Sequence, residues 1–242
     1  MKTASIIIIG NEILSGRTQD TNSNYLAKML VQKGISLEEI RVIPDDLNII
    51  AKVVNNQSSA KDYVFTSGGI GPTHDDITAE AIANCFHTPL IVRDDAVELL
   101  AMNYKNGKKD LNAARLRMAR IPEGAMLIKN KISGAPGFII KNVFVMAGVP
   151  QIFEAMVQEI ISNIGSVNPI LSKTVKVFKK ESEISERLWN YADRYKDISI
   201  GSYPFNNSGI FGVEIVLRHT DRVRLNKVFN EILRDLNEPN TS

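Results

Sequence analysis

The sequence predicts an α/β chain in two parts: a three-layer domain with a mostly parallel sheet, then a small α+β unit. Three observations predict this. Residues 5–9 form an unbroken apolar run rich in isoleucine, the pattern of a strand buried on both faces. Strand-like and helix-like segments then alternate along the chain, which favours parallel strands covered by helices. Beyond about residue 170 apolar and polar residues alternate one by one, as in antiparallel strands with one wet face.

The elements follow in order. A helix over 21–33 is set by Leu26, Met29 and Leu30 at three-to-four spacing, with Gly34 as its stop. A second strand over 35–43 ends in Pro44-Asp45-Asp46, and the next helix carries Ile49, Val53 and Val54. Tyr63-Val64-Phe65 makes a third strand leading into a glycine loop. A helix starting near Thr73 then turns Ile77, Ala81 and Cys85 inward. Residues 94–120 read as polar and helical, and 138–140 and 143–146 as two more strands. Pro150 sits at a favoured first helical position and opens a helix with Ile152, Phe153, Met156, Ile160 and Ile164 on one face. Residues 165–169 have linker chemistry, so the expected domains are 1–166 and 170–242. In the second, Val175 and Val177, Ile198 and Ile200, and Phe211, Val213, Ile215 and Leu217 mark three strands. Helices over 182–195 and 221–236 complete the order β-α-β-β-α. Trp189 and Tyr191 on the first of these helices read as core or interface residues.

Composition narrows the function. A chain of 242 residues with 44% hydrophobic and 23% charged residues can build its own core without staples. A net charge of +2 without dense basic runs argues against a nucleic-acid partner or an anionic membrane surface. No apolar stretch approaches the ~20 residues that span a bilayer. Cys85, the one cysteine, permits no internal disulfide and no cysteine-based zinc site. A cytoplasmic protein is expected. The apolar faces at 150–164 and 182–195 serve either a core or a symmetric interface, and a homo-oligomer is expected.

The chemistry concentrates in Thr66-Ser67-Gly68-Gly69-Ile70-Gly71-Pro72-Thr73-His74-Asp75-Asp76. Gly68, Gly69 and Gly71 follow a buried strand and precede a helix, where exposed N–H groups make a seat for phosphate. The bland alternative is a tight turn with Thr73 as N-cap in a loose capping box with Asp76. Neither the dinucleotide fingerprint nor the P-loop lysine pattern is present. Asp75 and Asp76 would repel phosphate unless a divalent cation lies between, because hard cations take carboxylate and phosphate oxygens together. Glu12, at the end of the first strand, and Asp45 or Asp46, at the end of the second, would converge on the same edge. The expected metal ligands are therefore Glu12, Asp45, Asp75 and Asp76. His74, His87 and His219 are scattered and suggest no zinc cluster.

The glycine–aspartate segment resembles the signature of the molybdopterin-binding fold of molybdenum-cofactor biosynthesis proteins. More closely, the chain resembles the competence/damage-inducible protein A family in its N-terminal domain. Residues 9–17 with Thr21-Asn22 are similar to that family's opening motif, and Pro44-Asp45-Asp46 to its second acidic motif. Asn112 through Pro122-Glu123-Gly124-Ala125, Asn130, Gly134-Ala135-Pro136-Gly137-Phe138 and Gly148-Val149-Pro150 follow in the expected order. The resemblance spans residues 3–160, and the tail resembles the family's next, smaller domain more weakly.

The resemblance implies binding of molybdopterin or a related phosphorylated nucleotide. In the competence-type branch it also implies metal-dependent pyrophosphatase activity on ADP-ribose-like or flavin dinucleotides, releasing AMP, with Mg, Mn or Co. Carried onto this chain, Glu12, Asp45 and Asp76 would be the catalytic acids. Ser67, Gly68, Gly69, Gly71 and Thr73 would hold phosphate. Ser133, Gly134, Ala135, Pro136 and Gly137 would form the opposing wall. Two further readings remain open: a pterin or nucleotide carrier without turnover, and adenylyl transfer onto molybdopterin. Asn11 stands where many relatives have aspartate, which removes a charge from the site, and Ala147 replaces a common proline. The nicotinamide-nucleotide amidase domain of longer relatives is not expected, since the chain ends at Ser242.

Overall fold

The computed structural model describes residues 2–164, 169–207 and 209–237. The predicted linker falls largely on 165–168, outside the described residues. Two compact units divide the chain, Met1–Val167 and Asn168–Ser242.

The first unit runs β1 (Lys2–Ile9), α1 (Asn11–Leu14), α2 (Asn22–Gln32), β2 (Ile35–Ile43), α3 (Leu47–Ala60), β3 (Tyr63–Ser67), α4 (Thr78–Cys85), β4 (Leu90–Val92), α5 (Asp94–Ala101) and, after a 3₁₀ turn, α6 (Ala113–Arg117). It continues with β5 (Arg120–Pro122), β6 (Met126–Ile128), β7 (Gly137–Ile140), β8 (Val143–Met146) and α7 (Pro150–Asn163). Six strands form one sheet in the order β2-β1-β3-β8-β7-β6. The first four are parallel, β7 runs antiparallel to β8, and the edge strand β6, antiparallel to β7, returns to the direction of the first four. Strands β4 and β5 make a separate antiparallel pair.

The isoleucine run explains the layering. Along β1, Ala4, Ile6 and Ile8 enter one core with Leu26 and Leu30 of α2 and Phe153, Met156 and Ile160 of α7. Ile7 and Ile9, on the opposite face, enter a second core with Ile50 and Val54 of α3 and Ala81 and Ile82 of α4. Alternating side chains of a single strand thus feed both helix layers, as strand periodicity requires. The apolar face of α7 is spent on this core.

Three expectations need correction. The helix expected near Thr73 begins at Thr78: Asp76 bonds the Thr73 amide as a capping box would, but the Thr73 hydroxyl is taken by Asp75 and Asp76, and the segment closes as a turn ahead of the helix. Residues 94–120 break into α5, the 3₁₀ turn and α6, and end by entering β5. Three-residue strands β4, β5 and β6 are too short to leave a periodic signature in the sequence.

The second unit has the predicted order: β9 (Leu171–Val177), α8 (Glu181–Arg194), β10 (Ser199–Asn207), β11 (Ile210–His219) and α9 (Arg222–Asn237). Its antiparallel sheet is ordered β10-β11-β9. Val213, Ile215 and Leu217 of β11 pack on Ile184 and Leu188 of α8 and Leu225, Val228 and Ile232 of α9. Phe211, at the strand's start, is exposed. Tyr191 packs against this core, whereas Trp189 is 78% exposed. Among the described residues no helix is long and apolar enough to cross a membrane.

Phe65 is fully buried at the centre of the large sheet and stacks on Phe144 of β8, with centroids 5.0 Å apart. Phe65→Ala should cost about 3–5 kcal/mol, read as a lowered urea midpoint of the first unit's transition.

Candidate functional site

After β1 the chain moves outward to β2, and β3 returns on the other side of β1. The loops leaving β1 and β3 therefore diverge, and a crevice opens at their carboxyl ends, where open α/β sheets bind ligands. A cleft of about 490 Å³ lies there. Glu12, Asp45, Gly68, Gly69, Gly71, Asp75 and Asp76 line it, with Ser133 and Ala135 on another side. Four acids and three glycines singled out in the sequence thus share one cavity.

Backbone proximity shapes its floor. Gly68 has φ +113° and Gly69 +69°, a region other residues rarely adopt. A Cβ on Gly68 would strike the carbonyl of Ile9, and one on Gly69 the hydroxyl of Thr78. The amide of Gly68 donates to Met146 O at 3.1 Å, and Gly69 O accepts from the Thr78 amide at 2.9 Å. Ser67 is buried and supports the loop from beneath: its hydroxyl accepts from Asn22 Nδ2 at 2.8 Å. The same Nδ2 donates to Gly148 O at 2.8 Å, so one buried asparagine ties the turns after β3 and β8 together. Among the described residues, the amides of Gly69, Ile70 and Gly71 have no protein acceptor. Three consecutive N–H groups remain unspent in a half-buried loop.

The acids are arranged differently from the sequence expectation. Thr73 gives its amide to Asp76 Oδ2 at 2.8 Å, and its hydroxyl lies within hydrogen-bond distance of both Asp76 Oδ2, at 2.6 Å, and Asp75 Oδ1. One hydroxyl proton is shared between two carboxylates. That hydrogen bond lowers the Asp75 pKa below its usual value, so its anion persists to lower pH than an ordinary aspartate. Thr73 is exposed and both its polar groups are spent on these acids. Asp45 Oδ2 accepts from the Asn11 amide at 2.9 Å, joining the turns after β2 and β1. Among the described residues, no three or more His, Cys, Asp or Glu side chains gather closely enough to hold a metal ion. The carboxylates are hard oxygen donors, but each of Asp45, Asp75 and Asp76 already accepts a hydrogen bond from its own surroundings.

The expected wall of 133–137 is divided. Ser133 and Ala135 line the cleft. Gly134 borders another cavity beside Leu99 and Asn103, and Pro136 a small void beside Arg117. Gly137 lies in β7, where a Cβ would strike the Val145 carbonyl. Asn130 shapes the loop: its Oδ1 accepts from the amides of Ile132, at 3.1 Å, and Ser133, at 2.8 Å, and its Nδ2 donates to Ala135 O. Ile9, Ile70, Met118 and Ile152 add apolar lining beyond the site residues expected from the sequence. Cys85 is half-buried against the second core, and burial raises its thiol pKa. His74 is exposed.

Residues 5–171 match the model of a probable molybdopterin-binding domain. The chain belongs to this molybdopterin-binding family. Residues 169–241 match a second family, the middle domain of FAD synthase. An Archaeoglobus fulgidus protein is 37% identical over 95% of this chain and 97% of its own length. A probable FAD synthase of Caenorhabditis briggsae is 32% identical over 89% of this chain, which spans only 46% of that protein. The crystal structure of CinA, of unknown function, from Thermoplasma acidophilum superposes with a TM-score of 0.62 at 34% identity. That match covers 68% of this chain and 99% of the other. The first unit therefore has the CinA-like form of the molybdopterin-binding fold.

Two glycines separate conformational strain from close approach. Gly16 has φ +72° with open space around its Cα, whereas Gly68 combines a positive φ with the Ile9 carbonyl. Gly16→Ala should cost about 1–2 kcal/mol. Gly68→Ala should cost distinctly more, since a clash adds to the same backbone strain. Urea denaturation of the two variants checks the ranking.

Proposed function

We propose that the cleft binds the pyrophosphate of a dinucleotide, of ADP-ribose or FAD type, and hydrolyses it to release AMP. The observation that carries this reading is the run of unspent amides at Gly69, Ile70 and Gly71, residues that line the cleft together with Asp75 and Asp76. The match to the FAD synthase middle domain and the probable FAD synthase relatives supports a flavin-nucleotide substrate.

The amides would take non-bridging phosphate oxygens, as backbone nests do. Ile9, Ile70, Met118 and Ile152 would receive a flat ring. Asp76, anchored by the Thr73 amide, is fixed in orientation and can accept a proton from an attacking water. Bringing a phosphate to this acidic rim requires a counter-charge. Mg²⁺ takes one or two carboxylates plus substrate phosphates rather than a cage made by protein alone, so the lack of a preassembled ligand set fits a cation that enters with the nucleotide. Glu12, Asp45, Asp75 and Asp76 are the side chains that would hold Mg, Mn or Co. The ion would supply charge neutralisation and an acidified water.

A second reading is a pterin or nucleotide carrier without turnover. Asn11 favours it, since an amide beside Glu12 leaves the site less acidic than an aspartate would. Incubation with ADP-ribose or FAD and each metal separates the two. Hydrolysis predicts AMP release that falls about 100-fold or more in Asp76→Asn. AMP release unaffected by that change removes Asp76 from the chemistry. A pterin retained through native purification, with no AMP formed, establishes the carrier.

A further inference from the structure

The cleft is lined by acids and contains no lysine or arginine in its immediate wall, although a pyrophosphate carries several negative charges. Just outside that wall stands Arg117, the last residue of α6. Its Nη2 donates to the backbone carbonyl of Asp76 at 3.4 Å, which places the guanidinium against the loop that carries the acids. Three other arginines of the first unit are committed elsewhere. Arg120 pairs with Glu80 at 3.4 Å, Arg93 with Asp95, and Arg115 donates to Asp110 O and stacks on Tyr104. Arg117 has no carboxylate partner among the described residues, and its Nε is buried with no hydrogen-bond acceptor. An unsatisfied buried donor is costly and calls for an acceptor.

The space beside Arg117 indicates what that acceptor belongs to. A void of about 20 Å³ shares Ile70, Gly71, Asp76 and Met118 with the cleft. It has room for about one water-sized group, so it is no separate binding site. Arg117 lines this void and stands behind the part of the cleft wall, Ile70, Gly71, Asp76 and Met118, that the two share.

We propose that Arg117 is the cation of the phosphate seat, its guanidinium taking a non-bridging oxygen of the ligand's pyrophosphate beside the Gly69–Gly71 amides. The assignment rests on the reading of the cleft as a pyrophosphate site. Guanidinium geometry matches phosphate oxygens in pairs, and its charge offsets the acidic rim where the anion enters. A guanidinium aimed at phosphoryl oxygens also favours the charge that develops as the anhydride breaks.

The test uses the full chain and two probes, ADP-ribose and inorganic pyrophosphate, with affinity measured by calorimetry at two salt concentrations. Arg117→Gln should weaken both probes about tenfold or more and flatten the salt dependence of binding. Arg117→Lys should recover part of the affinity, and the thermal midpoint of the ligand-free variants should stay near that of the wild type. Wild-type affinity and salt dependence in Arg117→Gln would overturn the assignment while leaving the pyrophosphate site standing. Weakened binding with an unchanged salt dependence would reduce Arg117 to a loop anchor and also overturn it. A wild type that binds neither probe would overturn the pyrophosphate reading and this assignment together.

Discussion

Three chain turns leave the sheet within van der Waals distance of one another, and the site depends on that close approach. The turn after β3 passes so near Ile9, at the end of β1, that Gly68 has no room for a side chain. The turn after β8 comes as close from the other side, since a Cβ on Gly148 would lie 3.2 Å from Gly68 Cα. Asn22 holds this seam with one amide group bonded to Ser67 and to Gly148. The crossing from β1 to β2 and back to β3 puts the seam at the one place where neighbouring loops part. Beyond Gly68, whose amide is bonded to Met146, the amides of Gly69, Ile70 and Gly71 have no acceptor among the described residues.

Electrostatics then selects the ligand. Amides at Gly69, Ile70 and Gly71 attract an anion, while Asp75 and Asp76 repel one. Two carboxylates sharing one threonine hydroxyl are tolerated because both are exposed enough to be hydrated. A ligand that brings phosphate and a hard cation together satisfies both halves of the site, which a free anion or a free cation does not. Arg117 lies behind Gly71 and Asp76, with its guanidinium donating to the Asp76 carbonyl.

Much of this was readable from the sequence, and the reasons are local. The isoleucine run of β1 announced a doubly buried strand because each residue of a central parallel strand meets a helix layer. The glycine–aspartate loop was visible because two acids follow directly on glycines after a buried strand, whereas the glycines alone fit a plain turn equally well. Asp45 and Glu12 converge on it through the register of parallel strands, which periodicity could suggest. Other features depend on contacts between distant segments. The helix start moved from Thr73 to Thr78: Asp76 makes the expected bond to the Thr73 amide, but the Thr73 hydroxyl goes to the two carboxylates and does not cap the Asp76 amide. Strands β4 to β6 exist only through their pairing. Arg117 sits in a short polar helix among several other cations, and nothing in its neighbours distinguishes it; only the missing acceptor does.

Solution NMR of the full chain during titration with ADP-ribose tests the central claim most directly. A phosphate seated on the β3 turn predicts that the amide signals of Gly69, Ile70 and Gly71 move furthest, with that of Gly68, already bonded to Met146, moving less. Unmoved signals at those three amides, with saturable shifts elsewhere in the chain, would contradict the account.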